Sequence, residues 1–170
     1  PVPSQSDFQT QLIALLPSLR RFAFSLSTSR ADGEDLLQDC VEKAITNRRN
    51  WRGTNLRSWA FTILLNLNRN RYRNQVGKEF IPLDFAPEIA SNEPNSDPLA
   101  RDRIVAAVNL LPVEYREVLL LVTLEGFTYA DVAETLNIPL GTVMSRLSRA
   151  RRQLGETLEG NNIIPLHRQK

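Results

Sequence analysis

The sequence predicts an all-α protein made of two small helical domains joined by an extended linker. Apolar residues recur at three- and four-residue spacing in both halves of the chain, and the strict alternation typical of strands is absent. Between the halves, residues 74–98 contain four of the ten prolines and five acids with little apolar periodicity, as linkers do. A length of 170 residues suits two domains of this kind.

The first domain, residues 1–73, is predicted to contain three helices. An apolar stripe from Phe8 to Leu26 marks the first helix. Asp32 can cap the second helix, whose buried side runs from Leu36 to Ile45. The third helix follows the loop 47–54 and starts near Asn55.

The second domain, residues 99–160, begins with a short helix formed around Ile104 and ended by Pro112. That proline suits the first turn of the next helix, residues 113–125, which Gly126 can terminate. Residues 161–170 form a C-terminal tail.

A helix-turn-helix is predicted in the second domain. Thr128 and Asp131 have the spacing of a capping box and open a short helix over residues 129–136. Asn137 can take the left-handed conformation that ends it, and a second helix starts at Gly141 after a tight turn. A short helix, a tight turn and a longer second helix are the layout of a DNA-binding helix-turn-helix.

Composition argues against most catalytic and metal chemistry. One cysteine, Cys40, and one histidine, His167, cannot form a disulfide framework, a Cys/His metal site or a Ser-His-Asp triad. We therefore expect no catalytic residues, no metal and no cofactor, and we interpret Cys40 as buried packing. The longest apolar runs are too short for a membrane span and the N-terminus lacks the pattern of a signal peptide, so a cytoplasmic protein without membrane insertion is expected.

The net charge of +2 conceals charges that come in blocks. Residues 32–42 carry five acids and no base, and residues 43–78 carry nine bases and no acid. Five acids without a base follow over 79–97, and four arginines without an acid lie in 141–155. Two separate basic blocks favour two contacts with a polyanion, although a charge run alone is equally consistent with a solvated helix face.

The two basic blocks differ in their chemistry. In the first, arginines alternate with aromatic residues and amides, which suits single-stranded or melted nucleic acid. Trp51 could either pack against the protein or contact a base. Asn66 could be either an ordinary exposed amide or a base contact. In the second block, Thr142, Met144 and Ser145 would enter a major groove, and arginines further along would reach phosphates. The alternative is a helical hairpin of a bundle whose basic face is solvated.

Several motifs in both halves together resemble the extracytoplasmic-function sigma factors, the promoter-specificity subunits of bacterial RNA polymerase. The resemblance covers roughly residues 8–158, with the linker in the matching place. The matching segments are ADGEDLLQD at 31–39, WRG at 51–53, LRSWAF at 56–61, LPVEYREV at 111–118, GTVMSRL at 141–147 and RAR at 149–151.

The resemblance implies a partner for each charged block. The acidic helix would bind the clamp helices of the polymerase β′ subunit, and the second domain would rest on the β-subunit flap. The first basic block would capture a flipped base of the −10 non-template strand and follow its backbone, and the second would read the −35 duplex. The implied contact residues are Asp35, Gln38 and Asp39 for core polymerase; Trp51, Arg52, Asn66, Arg69, Asn70 and Arg73 for the −10 element; and Thr142, Met144, Ser145, Arg146, Arg149 and Arg152 for the −35 element.

The resemblance also implies an anti-sigma factor that clamps both domains, and an acidic linker that lies in the nucleic-acid channels of the polymerase. Met144 departs from the basic residue that many members of the family carry at this position.

Two other classes of function are alternatives. A stand-alone helix-turn-helix regulator would bind duplex DNA without polymerase, but it leaves the acidic helix and the aromatic-rich basic block without a role. A nucleic-acid enzyme would need clustered carboxylates or an activated nucleophile, yet the block 43–78 contains no acid.

Overall fold

The computed structural model describes residues 4–75 and 97–160, and over these residues the chain is helical without strands, as predicted. The predicted tail and most of the predicted linker lie outside the described residues. The elements are α1 (Gln5–Leu26), α2 (Arg30–Thr46), a single 3-10 turn (Arg48–Asn50), α3 (Leu56–Gln75), α4 (Pro98–Asn109), α5 (Val113–Thr123), α6 (Tyr129–Leu136) and α7 (Leu140–Gly160).

The helices α1, α2 and α3 pack around a core that includes Phe8, Phe22 and Phe61. The predicted cap of α2 is wrong. Ser29 caps this helix by accepting the Asp32 amide at 3.1 Å, so Asp32 lies inside the first turn. At Gly33 a Cβ atom would lie 2.4 Å from Cδ1 of Phe24, and glycine is therefore required where α2 approaches α1.

The helix α3 begins as predicted, after Asn55. The Asn55 carboxamide accepts the Ser58 amide at 3.2 Å and donates to the Ser58 hydroxyl at 2.8 Å. The apolar side of α3 is fully buried at Ala60, Phe61 and Leu64. This helix is therefore central to the first domain.

In the second domain α4 begins at Pro98, earlier than the stripe around Ile104 predicted. Asp97 caps it by accepting the Leu99 amide at 3.1 Å, and proline suits the first helical position. Pro112 caps α5 by its extended backbone rather than lying inside the first turn. The helix α5 ends at Thr123, before the predicted limit, and Gly126 takes a φ of +66° as the chain turns.

The helix-turn-helix is confirmed in detail. The Thr128 hydroxyl accepts the Asp131 amide, and the Asp131 carboxylate accepts the Thr128 amide. Asn137 is left-handed, with φ 52° and ψ 52°. The helix α7 starts one residue before the predicted Gly141, because the Pro139 carbonyl accepts the amides of Thr142 and Val143.

The two domains lie against each other, which the sequence did not predict. The helix α3 contacts α6, and α1 contacts α5. The rings of Phe61 and Phe127 meet edge to face with centroids 5.1 Å apart. The Thr62 hydroxyl donates to the Thr135 carbonyl at 2.8 Å. Across the described ranges no helix is long and apolar enough to cross a membrane.

Candidate protein and nucleic-acid interfaces

The acidic face of α2 is exposed and borders an apolar groove. Asp35, Gln38 and Asp39 share one side of the helix and all three are exposed. The neighbouring groove, about 950 Å³ between α1 and α2, is largely apolar. Its apolar lining consists of Leu16, Pro17, Leu37, Val41 and Ile45. An apolar groove beside an exposed acidic face suits a helical protein partner that carries basic residues.

The basic face of α3 is formed by Asn66, Asn70 and Arg73, which are exposed at four- and three-residue spacing. Arg69 lies beside them but is engaged by a carboxylate of α5. Arg71, on the neighbouring side, pairs with Asp39 of the acidic face and donates to the Asp32 carbonyl at 3.3 Å. The acidic and basic faces of the first domain are therefore joined at their edges by an ion pair.

Trp51 is 6% exposed, so the structure shows the packing alternative for this residue. Its ring lies 5.5 Å from the Phe8 ring, and its Nε1 donates to the Thr54 carbonyl. Arg52 is exposed next to it, and Gly53 has a φ of 82°. Trp51 thus holds the loop in shape, and only Arg52 of the two predicted loop contacts is accessible in this arrangement.

The helix α7 presents a polar and basic face. Met144 is 50% exposed, and Ser145, Arg149 and Arg152 are exposed at helical spacing. Thr142 is partly buried, and its carbonyl accepts the Ser145 hydroxyl at 3.2 Å.

Arg146 is more enclosed than its neighbours on this face. Its side chain is 20% exposed, and its guanidinium is 3.8 Å from the Glu114 carboxylate. All six residues predicted to read the −35 element thus lie on α7, and four of them, Met144, Ser145, Arg149 and Arg152, are exposed.

Two buried carboxylates of the second domain were missed by sequence reasoning. The side chains of Glu117 and Glu125 have no exposed area. Glu117 binds Arg69 through both oxygens, at 2.8 and 3.3 Å, and Glu125 binds Arg21 at 2.9 and 3.1 Å. The signal in the sequence was an acid placed directly before the apolar run 118–121.

Two opposing effects act on the pKa of Glu117 in its ion pair with Arg69. Burial raises the pKa of Glu117, although the hydrogen bond from Arg69 opposes this shift. The same hydrogen bond raises the pKa of Arg69. Because the carboxylate is completely enclosed, burial dominates and the pKa of Glu117 lies above its ordinary value.

Arg57 strengthens the contact between the domains near the second carboxylate. Its guanidinium donates to the Glu125 carbonyl and lies 4.2 Å from the centre of the Phe127 ring. Three arginines of the first domain therefore bind two short segments of the second.

Cys40 is completely buried, and burial raises its pKa to about 12. Its thiol lies 3.6 Å from the Ala60 carbonyl. These surroundings match the predicted packing role and keep the thiol protonated at neutral pH.

Both halves of the chain match known sigma-factor domains. Residues 12–65 match the model of the sigma2 domain of PhyR, and residues 101–154 match sigma-70 region 4. The ECF RNA polymerase sigma factor EcfG of Rhodopseudomonas palustris is 36% identical over 92% of this chain and 88% of its own length. The ECF RNA polymerase sigma factor SigE of Mycolicibacterium smegmatis is 31% identical over 81% of this chain and 56% of its own.

Solved structures extend the similarity to the arrangement of the helices. The sigma factor RpoE of Bartonella quintana, in complex with the anti-sigma factor NepR, superposes with a TM-score of 0.77 at 35% identity, over 90% of this chain and 97% of its own. CnrH, in complex with the cytosolic domain of CnrY, shares the fold at 23% identity and a TM-score of 0.70, over 93% and 91%.

Proposed function

Because this chain belongs to the extracytoplasmic-function family of RNA polymerase sigma factors, we propose specific partners for each of its charged faces. The observation that carries the assignment is the segregation of charge: one exposed acidic face on α2 and two basic faces on α3 and α7. A stand-alone helix-turn-helix regulator is not favoured, since relatives matched along nearly the whole chain are sigma factors.

The acidic face binds core polymerase. Asp35, Gln38 and Asp39 are exposed beside the apolar groove of α1 and α2, so a helix with apolar and basic residues can bury its apolar side and pair its charges. We assign this surface to the β′ clamp helices and the second domain to the β flap.

The basic face of α3 and the loop at Arg52 bind the −10 element. Exposed amides at Asn66 and Asn70 can hydrogen-bond the edges of an unstacked base, and Arg73 can follow the phosphates. Capturing an extruded base offsets part of the cost of unstacking, so recognition and strand opening occur together. Trp51 contributes by shaping the loop, and it would touch a base only if the loop opened.

The helix α7 reads the −35 duplex. Its N-terminal residues Thr142, Met144 and Ser145 occupy the positions from which a recognition helix contacts base edges. Arg149 and Arg152 are exposed further along and bind phosphates. Arg146, whose guanidinium is held near the Glu114 carboxylate, can contact either a base edge or a phosphate.

An anti-sigma factor and a cytoplasmic location complete the proposal. The Bartonella quintana relative is in complex with the anti-sigma factor NepR, and the similarity spans both domains of this chain. Core polymerase and promoter DNA place the working protein in the cytoplasm. In this role it contributes binding energy and no catalytic chemistry of its own.

Reconstitution with core polymerase tests the proposal. Holoenzyme assembled from the purified chain is used to select bound sequences from a genomic library, and the selected fragments are then transcribed. We expect two-part promoters and specific transcripts that disappear when the chain is omitted. Selection of duplex sites by the chain alone, with no transcript from the holoenzyme, would overturn it.

The variant Asp35→Arg supplies a matched test of the core surface. It should fail to assemble, whereas Glu156→Arg makes the same charge change at an exposed position of α7 and should assemble normally.

A further inference from the structure

We propose that Leu140 and Met144 form an apolar patch on α7 that recognises the 5-methyl groups of thymines in the −35 element. This inference rests on the proposed function, because that function assigns α7 to the −35 duplex. It specifies the chemical feature of the bases that the start of the helix reads. It also adds Leu140, the first residue of α7, to the residues that contact DNA.

The two side chains of the patch are exposed although both are apolar. Leu140 is 46% exposed and Met144 is 50% exposed. They are four residues apart, so they are neighbours on one side of the helix. The core of the second domain uses other residues of α7, namely Val143, Leu147 and Ala150. Single exposed apolar residues are common, but two neighbouring ones at the start of a proposed recognition helix provide an apolar contact surface.

The charges next to the patch favour a polyanion as its partner. Residues 141–155 contain four arginines and no acid. Arg151 is exposed and follows Met144 by seven residues, which places both on one side of the helix. Within the described part of the chain no carboxylate pairs with Arg149, Arg151 or Arg152. An apolar patch beside unpaired basic side chains therefore suits the DNA duplex.

Thymine presents the matching apolar group. In the major groove it carries an acceptor oxygen and a 5-methyl group, and apolar side chains contact that methyl group. The N-terminal residues of a recognition helix are those that reach base edges, and Leu140 and Met144 belong to the first two turns of α7. Neither side chain has a hydrogen-bond donor, and the thioether of methionine is only a weak acceptor. The methyl group is therefore the base feature that the patch can read best.

The start of α7 offers few polar alternatives to apolar recognition. Residues 140–145 carry no charged side chain, and the exposed side chains among them are those of Leu140, Met144 and Ser145. The Ser145 hydroxyl donates to the Thr142 carbonyl at 3.2 Å, so its proton is already engaged. Thr142 itself is partly buried. The accessible surface at the start of the helix is therefore mainly apolar.

Gly141 permits a close approach at this surface. A Cβ atom at Gly141 would meet no other group within 4 Å, so internal packing does not require glycine here. Its backbone is not left-handed either, and glycine is less favourable than alanine inside a helix. A backbone without a side chain beside Leu140 lets the bases of a groove approach the helix closely, which short-range contacts with a methyl group need.

Replacing thymine by deoxyuridine tests the patch without changing the protein. Deoxyuridine lacks only the 5-methyl group and pairs with adenine in the same way. Each thymine of the −35 element, on either strand of the strongest promoter from the genomic selection, is replaced in turn, and binding of the holoenzyme is titrated. We expect the dissociation constant to rise about fourfold at one or two neighbouring thymines, equivalent to about 0.8 kcal/mol for one buried methyl group. Deoxyuridine in the spacer between the two elements should have no effect.

Variants of the patch then assign the methyl effect to its residues. Met144→Ala and Leu140→Ala should each bring the ratio of the deoxyuridine and thymine dissociation constants close to one at one of these positions. Met144→Leu keeps an apolar side chain of similar volume and should retain the difference. Leu110→Ala is the matched control, because Leu110 is 73% exposed at the end of α4, outside the helix-turn-helix. Because the ratio is compared, an effect on assembly with core polymerase cancels.

Equal binding by the parent at every thymine of the −35 element, or an element without a T·A pair, would overturn the proposal. A methyl effect that persists in both alanine variants would also overturn it, since other residues would then read the methyl group. Weaker assembly of both variants with core polymerase, without a methyl effect, would assign the patch to a protein contact instead. Failure of the holoenzyme to select any promoter would refute the proposed function itself, and this failure is distinguishable because it appears before any base is replaced.

Discussion

The basic faces of α3 and α7 carry similar charge but differ in how freely they can bind DNA. On α3, Arg69 is held by Glu117 and Arg71 by Asp39. On α7, Arg149 and Arg152 are exposed, and no carboxylate of the described ranges pairs with either. The difference shows that the number of basic side chains on a face does not tell how many of them are accessible to a polyanion. In this structure the face proposed for the −35 element is open, and the face proposed for the −10 element is partly occupied by the protein itself.

The largest expected effect is on the free energy of unfolding, and it distinguishes an arginine of the α3 face from one of the α7 face. Arg69→Ala leaves the Glu117 carboxylate buried without its counter-charge, and we expect a loss of up to about 3 kcal/mol in the free energy of unfolding. Arg149→Ala removes an exposed side chain and should change it by less than about 0.5 kcal/mol. Urea unfolding followed by circular dichroism measures both. Equal effects would mean that the Arg69 pair is no stronger than a surface contact.

The next effect concerns the edge where the acidic and basic faces of the first domain meet. Asp39→Arg places a positive charge on the proposed polymerase surface and beside Arg71, so we expect about a 100-fold loss of affinity for core polymerase. Asp131→Arg is unsuitable as a control because Asp131 caps α6, whereas Glu156→Arg is exposed on α7. Fluorescence anisotropy with labelled protein measures the affinity. Unchanged binding would remove Asp39 from the interface.

A tenfold effect is expected on promoter opening. Asn66→Ala removes an exposed amide from the −10 face and should reduce formation of open complexes about tenfold, equivalent to about 1.4 kcal/mol, with −35 duplex binding retained. Arg149→Ala should do the opposite, weakening duplex binding and lowering its salt slope by about 1. Permanganate footprinting and duplex titration separate the two. Parallel losses in both assays would contradict the division of labour between α3 and α7.

The smallest effect is a pH dependence that arises from Glu117. Burial raises its pKa above the ordinary 4.5, so the folded protein binds this proton more tightly than the unfolded chain does. The corresponding stability is present at low pH and is lost as the pH rises through the raised pKa. The stability of the parent relative to Glu117→Gln should therefore increase as the pH falls from 7 towards 5.

The exposed pair partner Glu114 provides the control for that dependence. Glu114 is on the same helix but its side chain is 66% exposed, so Glu114→Gln should show no such trend against the parent. Unfolding in urea at several pH values gives the comparison. A parallel pH profile for the parent and Glu117→Gln would place the Glu117 carboxylate in a better-solvated site than the structure shows.

Local signals in the sequence predicted most helices and their ends. The Thr128–Asp131 capping box and the left-handed Asn137 are short-range features, because the groups that satisfy the backbone lie within four residues. The predicted cap of α2 was wrong because Ser29 and Asp32, three residues apart, are both good capping residues, and only the observed hydrogen bond distinguishes them.

The sequence predicted which residues form the candidate sites better than it predicted which of their side chains are exposed. Asp35, Asn66 and Arg149 are exposed where the sequence placed binding residues, since each lies on the side of its helix away from the apolar stripe. Trp51 could be interpreted in two ways because a tryptophan in a basic loop suits packing and stacking equally. Its contact with Phe8, more than 40 residues away, decided for packing.

The sequence by itself determined that this is a two-domain helical protein with acidic and basic faces, because helical periodicity, caps and charge blocks are properties of neighbouring residues. Only the tertiary structure decided which of those charges are available. Glu117 and Glu125 pair with arginines 48 and 104 residues away, and no local pattern encodes such a partner. An ion pair forms where packing brings two charges together and excludes water, and that requires both domains in place.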